Sequence, residues 1–490
     1  MRHIAVHAHF YQPPREDPWT GSVPEQSGAA PYHDWNERVH AESYRPNAFA
    51  RIPHEDAERV VNNFERLSFN VGPTLLSWME QADPETYDRI LEADRVSVER
   101  FGHGNAIAQA FHHTILPLSP LRDVRTQVRW GLADFRYRFG RDSEGMWLPE
   151  TAANDDVLSV LIDEGVRFTI LAPSQARQWR EPDGSWQARP VDTGLPHRYL
   201  HADGSGRELA LFFYDGEIAR AIAFEGAGKD AGGFLDLFET RMDERPGRLI
   251  HAATDGETYG HHQVFSDLGL AYALFVEAER REIEPTNLAA FLAAHPPRRE
   301  ADVTGGHGSS WSCAHGVGRW YRDCGCSTGG EPGWNQAWRT PLREALDLLR
   351  DVADEVFERL GRELLTDPWA ARDDYVDVVI GRTIVDELLS NHQLRPLDEA
   401  QQNQAATLLK VQQHAMAMYT SCGWFFNDIG GIETVQVLVY AAAAMDLLKE
   451  LQQPVPEREF VAILEQAKSN DPEIGTGADV FLRIGRTFGG

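Results

Sequence analysis

Short apolar runs alternate with amphipathic stretches of helical length through the first 300 residues of this chain. Residues 3–10 (HIAVHAHF) read as a strand that carries His7 and His9 toward its end. A second strand is predicted near LSFNVG at 67–72, followed by helices over 74–94 and a long amphipathic helix from Pro120 to Tyr137. MWLPE gives a further strand, and the capping-type residues Asn154 and Asp155 open a helix that runs to Glu164. RFTILAP (167–173), ELALFFYD (208–215) and RLIHAATD (248–255) complete the strands, with helical segments between several of them. This β–α alternation predicts an α/β barrel.

Two stretches break the rhythm. Residues 13–56 are rich in Pro, Trp, Asn and charge, and a loop that long in a compact domain usually serves a function. Residues 303–340 are again aperiodic and dense in Gly, Trp and Cys. Beyond Pro341, helix-length amphipathic segments recur near 341–362, 373–390, 398–420, 432–453 and 456–468. The expected organisation is a barrel domain over 1–300, a connecting region over 301–340 and an α-helical domain over 341–490.

Composition narrows the partners. Of 490 residues 42% are hydrophobic, enough for a large core and a second domain. Acidic residues outnumber basic ones by 75 to 47, and the net charge of −28 disfavours polyanions. Nucleic acid is therefore not an expected partner, whereas a neutral substrate such as a sugar polymer suits the charge. No run approaches the roughly 18 apolar residues of a membrane span, so no membrane partner is expected. MRHIAVHAHF reads as a first strand rather than a signal peptide, which makes the cytoplasm the default location.

The candidate chemistry sits where two of the strands end. MWLPETA (146–152) and HAATDGETYGHH (251–262) each close an apolar run with a carboxylate in a Pro- or Gly-marked turn, offering Glu150 and Asp255 as a pair. Cleaving a glycosidic bond needs two carboxyl groups in different protonation states, and a parallel barrel carries its chemistry at its strand ends. The plainer reading of a strand-end Glu is a helix cap or a partner for Arg. A second DGE tripeptide, Asp215-Gly216-Glu217, also ends a strand, and local chemistry alone does not choose between Asp215 and Asp255.

The two segments resemble the third and fourth signature motifs of glycoside hydrolase family 57, retaining enzymes that act on α-glucans. HAHFYQPPRE (7–16) and GHGNAIAQAFHHTILPL (102–118) are similar to the first and second, so four motifs follow in order over roughly residues 1–270. The segment from SSWSCAHGVGRWYRDCGC onward resembles the helical extension of one bacterial subgroup. The resemblance implies an incomplete (β/α)7 barrel with an α-helical C-terminal domain, an α-glucan or maltooligosaccharide substrate and no cofactor. It implies Glu150 as nucleophile and Asp255 as general acid/base, because Tyr259 and Gly260 follow Glu257 as in the fourth motif. His9 and His113 resemble the histidines that hydrogen-bond the sugar, with His7 flanking them. Phe10 and Tyr11 precede Gln12-Pro13 where the family has His-Gln-Pro directly, so the sugar contact falls to either His7 or His9. Trp147 would be an apolar wall or sugar platform, and Glu257 would hold a ligand or tune the acid. Tyr259 is a candidate substrate contact, and Trp311 and Trp320, with Trp334 and Trp338 nearby, are candidates for stacking on pyranose rings, against core packing as the plainer role.

Two other readings start from the same residues. In a metal-dependent sugar hydrolase or deacetylase, His7, His9, Asp255, His261 and His262 would surround a metal, and WLPE would have no role. The other is a catalytically inactive carbohydrate-binding protein. Cys313, His315, Cys324 and Cys326 lie within 14 residues as C-x-H-x8-C-x-C. These are donors that suit zinc, but the spacing is not a common one, so the expectation is free thiols in a Gly-rich loop and no metal.

Overall fold

In the computed structural model, which describes residues 2–54, 57–188 and 190–488, the N-terminal run is a nine-residue strand buried from Ile4 onward. Fourteen strands occur among the described residues, seven of them being β1 (Arg2–Phe10), β2 (Ser68–Val71), β3 (Ala108–Gln109), β4 (Met146–Trp147), β5 (Phe168–Leu171), β6 (Glu208–Phe213) and β7 (Ile250–Asp255). β1 is parallel to β7, with Ile4 opposite Ile250 and His9 opposite Asp255, and parallel to β2, with His9 opposite Asn70. A parallel bridge joins Phe69 to Ala106 just before β3; β3 pairs with β4 in parallel; Gly145 bridges to Phe168, and β5 pairs with β6 in parallel. The Asp215 N–H donates to the His251 carbonyl at 2.8 Å, joining the end of β6 to β7. Parallel strands covered on both faces need apolar side chains throughout, which is why these segments read as continuous runs.

Contact clustering divides the chain into two compact units. The first comprises residues 1–12, 24–109 and 135–311, and contains β1 to β7 together with the other strands. The second comprises residues 13–23, 110–134 and 312–490 and is helical, so short pieces of the N-terminal half belong with the C-terminal helices. The fold is α/β with a helical C-terminal region. No helix among the described residues is long and apolar enough to cross a membrane.

Most expected helices are present: Leu121–Phe139, Asp155–Asp163, Arg339–Leu364, Glu399–Ala417, Ile432–Glu450 and Glu457–Leu464. Asn154 caps the second of these by accepting the Val157 N–H at 3.0 Å. The helix expected over 373–390 is broken into Pro368–Asp374, Val376–Val379 and Val385–His392. The Asp377 carbonyl captures the N–H groups of both Arg382 and Thr383, reversing the chain where periodicity alone suggested continuity. Within the loop expected over 13–56, Ala50–His54 pairs antiparallel with Ala57–Val61, a hairpin that periodicity did not reveal.

Arg372 ties the second unit together. Fully buried, it donates to Asp123 at 2.8 Å, to the Gln412 side-chain carbonyl at 2.9 Å and to Thr126 at 2.7 Å. Removing one member of a buried ion pair strands the other in a medium that solvates it poorly. Arg372→Met is therefore expected to destabilise this unit by about 3–5 kcal/mol, measured as a lowered urea midpoint. A loss below about 1 kcal/mol would show that desolvation already cancels the attraction.

Candidate active site

Parallel register puts paired residues on one face, so the ends of β1, β2 and β7 collect His9, Asn70 and Asp255 at one level, with His7 and Ser68 one layer below. His7 reaches Ser68 through Nδ1 at 3.0 Å and the Asn70 side-chain oxygen through Nε2 at 3.1 Å. His9 Nδ1 lies 2.9 Å from the Asn70 amide nitrogen, which also donates to Gln109 at 2.7 Å. Burial drives both histidines down to about 3, only partly offset by the bond to Asn70, so both rings are neutral at physiological pH. Both rings stack on the fully buried Trp147, with centroids 4.9 and 4.8 Å away. Trp147 is thus the floor under the two imidazoles, and no ring face of it is open to ligand.

β4 leads from Trp147 into Leu148-Pro149-Glu150. Glu150 and Thr151 adopt left-handed backbone conformations, with φ of 56° and 52°. A β-branched residue pays a steric penalty in that region, and such strain persists only where the surroundings hold it. Gln175 does so here: its side-chain oxygen accepts from the Thr151 hydroxyl at 2.8 Å, and its amide donates to the Thr151 and Ser309 carbonyls at 2.8 and 2.9 Å. Trp311 fixes the carboxylate itself, donating its indole N–H to Glu150 Oε2 at 3.0 Å and its backbone N–H to the Glu150 carbonyl at 3.1 Å. Its ring meets Trp147 edge-on at 5.1 Å and Tyr214 at 6.4 Å.

Asp255, at the end of β7, is exposed to solvent yet has protein atoms packed densely around it. Loss of bulk solvent, then the negative charges of Glu257 and Glu150, push its carboxyl up to about 8. Glu257 is buried and accepts from the Tyr44 hydroxyl at 2.6 Å, the Tyr11 N–H at 3.1 Å and the Gln12 amide at 3.4 Å. Burial raises it to about 7 against those three bonds. Between the two carboxyls Gly256 is obligatory, since a Cβ there would lie 2.4 Å from the Phe10 ring. A site containing Glu150, Asp255 and Glu257 is one in which not every carboxyl can be ionised at neutral pH.

Asp215 is occupied differently. Its carboxylate caps the helix Gly216–Glu225, accepting the N–H groups of Glu217 and Ile218 at 3.1 Å each, and faces Arg241 at 3.3 Å. The two DGE tripeptides thus separate by environment.

The glycosyl hydrolase family 57 model matches residues 4–304. The chain belongs to that family. A second model, described as a domain of unknown function (DUF3536), matches residues 334–487. Among curated relatives, a 4-alpha-glucanotransferase from Thermococcus litoralis is 23% identical over 228 residues, 46% of this chain and 30% of that protein. An alpha-amylase from Pyrococcus abyssi is 18% identical over 224 residues, 46% of this chain and 30% of that protein. The chain thus spans less than a third of the length of either. Among solved structures, an exo-type maltose-forming amylase from a Pyrococcus species superposes with a TM-score of 0.71 at 15% identity, covering 95% of this chain and 83% of that one. A family 57 branching enzyme from Thermococcus kodakaraensis gives 0.60 at 15% identity, covering 99% and 94%. At such identities these likenesses speak for the fold.

In this family 57 chain the first unit brings together His7, His9, Trp147, Glu150, Asp255, Glu257 and Trp311. Tyr259 is fully buried, with its hydroxyl 3.4 Å from that of Thr254, and packs in the core instead of offering a stacking face. His113 and Trp320 belong to the second unit. His113 has a φ of 55° and its Nδ1 lies 2.7 Å from the Ser421 hydroxyl; the neighbouring His112 is held by Gln127 at 2.8 Å. Trp320 and Trp338 are buried there, Trp320 donating to the Ser421 carbonyl at 3.1 Å, so both act as packed anchors. Sequence reasoning missed Asn70, Tyr44, Gln175 and Tyr214. Asn70 had a signal, a polar residue inside the buried run SFNV; Tyr44 and Gln175 sit in short helices and Tyr214 directly after β6, and these show none.

Proposed function

We propose that this chain is a retaining enzyme acting on α-glucans, with Glu150 as nucleophile and Asp255 as general acid/base, on an incomplete seven-stranded barrel. The parallel neighbour order of β1 to β7 and the bond from Asp215 to His251 support the barrel. The observation that carries the chemistry is Asp255, raised to about 8 by loss of solvent and by the charges of Glu257 and then Glu150. A carboxyl still protonated at pH 7 can donate to a leaving oxygen while an ionised partner attacks the anomeric carbon. In the first step Glu150 forms a bond to that carbon, the glycosidic C–O bond breaks, and the Asp255 proton passes to the departing oxygen. In the second, Asp255 takes a proton from water or an incoming sugar hydroxyl, which displaces Glu150. Neutral His9, level with Asp255, fits a hydrogen-bonding role toward the sugar, and Glu257 keeps the acid protonated. The same reading assigns the chemistry to residues 1–300 and takes 341–490 as an α-helical domain.

The metal-dependent alternative has less support. Among the described residues His7 and His9 turn toward Asn70 and Ser68, and His261 pairs with Glu42 at 2.5 Å, so the five donors do not converge. Incubation with maltooligosaccharides and with amylose, followed by product and linkage profiling, tests the proposal. Altered chain lengths with retained anomeric configuration are expected. Inversion at the anomeric carbon, or no change in either substrate, would sink it.

A further inference from the structure

The loop that follows the first unit holds a second cluster of reactive side chains. Its sequence spacing argued against a metal, but its geometry points the other way. Cys313 Sγ lies 3.8 Å from Cys324 Sγ and 3.8 Å from Cys326 Sγ, and Cys326 Sγ lies 3.5 Å from His315 Nδ1. All four donor atoms fall within 4.8 Å of one another, and among the described residues no other such group of His, Cys, Asp or Glu occurs. Zinc–sulfur bonds of about 2.3 Å and zinc–nitrogen bonds of about 2.0–2.1 Å in a tetrahedron put sulfurs about 3.8 Å apart and sulfur about 3.6 Å from nitrogen. Three of the six edges already have those lengths.

We infer that Cys313, His315, Cys324 and Cys326 form a structural zinc site. Three thiolates and an imidazole are a donor set for zinc, whereas calcium and magnesium require oxygen ligands. A disulfide explains the arrangement less well. Its sulfurs would sit about 2.05 Å apart and would single out one pair, yet Cys313 is equidistant from two partners. Four protein donors leave no open position, so the role is structural and not catalytic.

The surroundings match that role. Backbone N–H groups of Ala314 and Cys326 point at the sulfurs of Cys326 and Cys324, the kind of outer contact that orients thiolate ligands. Gly325, between the last two cysteines, has a φ of 79°, which turns the chain so that both sulfurs face inward. Three thiolates outweigh a dication by one negative charge. Buried Arg339, which donates to the Cys326 carbonyl at 2.8 Å, places a positive charge beside the cluster that would offset it. From Ser312 to Gln336 the chain has one short 3-10 turn, Gly318–Trp320, and few residues with which to build a core of its own. A zinc clip is how such a segment is held. The clip also closes around Trp320, whose indole holds the Ser421 carbonyl while the Ser421 hydroxyl meets His113. The site would thereby set His113 from a distance, as a positioning element.

Metal analysis of the full-length protein, purified without added zinc or chelator, should find about one zinc per chain. Titrating the unmodified protein with an organomercurial should release that zinc in step with thiol modification, read with a chromogenic chelator; this arm needs no variant. Cys324→Ser and Cys326→Ser should each lose most of the zinc, and Cys422→Ser should keep it. Cobalt replacing the zinc should give tetrahedral ligand-field bands with thiolate charge transfer. The site is refuted by free thiols with neither zinc nor a cobalt–thiolate spectrum, by a disulfide among these cysteines, or by zinc that persists in the Cys324→Ser/Cys326→Ser double variant. If the variants fail to fold, the mercurial titration decides alone.

Discussion

Glu150→Gln is expected to lower turnover of α-glucan at least ~10⁴-fold, with thermal unfolding and glucan binding close to those of the unmodified protein. Gln keeps the size of the side chain and an oxygen that can accept the Trp311 indole N–H. The left-handed turn at residues 150 and 151 is held by Gln175 through Thr151, which the substitution does not touch. What disappears is the negative charge able to attack and hold the anomeric carbon. Removing a nucleophile typically costs more than removing any group that merely positions the substrate, hence the size of the effect. Stopped assays on maltooligosaccharides, with calorimetry for binding, separate the two quantities. Turnover within ~10-fold of normal would reassign the strand-end carboxylate to a structural role.

Asp255→Asn should cost about 10²–10⁴-fold in turnover and, at alkaline pH, make the protein more stable. The carboxyl is held at about 8 in the folded chain against an ordinary unfolded value of about 3.9. The folded state therefore binds this proton more tightly. Stability from the protonated group is fully present below about pH 4 and drains away as pH rises toward 8. Asn has no proton to lose, so its gain in Tm over the unmodified protein should be largest near pH 8 and vanish near pH 4. A Tm difference independent of pH would mean that Asp255 is not held protonated by its neighbours. Glu257, raised to about 7, adds to the same penalty. Glu257→Gln removes the larger of the two like charges acting on Asp255, so the basic limb of kcat/KM should move to lower pH. An active site that pays in stability for a misfit charge is a common trade of stability against activity.

How much of this was legible depended on how local each cause was. Six of these seven strands and most helices follow from apolar periodicity, which is set by immediate neighbours, whereas β3 is only two residues long and carries no run to read. The helix expected over 373–390 failed because one carbonyl, that of Asp377, captures two N–H groups, which a periodic pattern does not encode. The hairpin at Ala50–His54 and Ala57–Val61 escaped notice because the second strand is mostly exposed and carries no alternation. At the site, Glu150 and Asp255 were visible as carboxylates ending apolar runs, but their supports were not. Tyr44 and Gln12 reach Glu257 from more than 200 residues away, and Trp311 reaches Glu150 from 161 residues away. Tyr259 matched a motif yet packs in the core, since a motif records residue type and not the direction a ring faces.

By itself the sequence determined the alternation of strand and helix, the membership of family 57 through four ordered segments, and the two strand ends where carboxylates stand. Those features are written in spacings of a few residues, and backbone geometry turns them directly into faces and ends. Local sequence chemistry left the two DGE tripeptides equivalent, and only the motif resemblance favoured Asp255. Tertiary structure showed that Asp215 caps a helix while Asp255 feels the charge of Glu150, and it alone showed His9 level with Asp255. It also gathered a cysteine cluster of unfamiliar spacing until its four donor atoms lay within 4.8 Å of one another. The physical reason is common to all three. Protonation, strain and metal affinity depend on the dielectric, charges and donors within a few ångströms, and distant segments supply those only once the chain has folded.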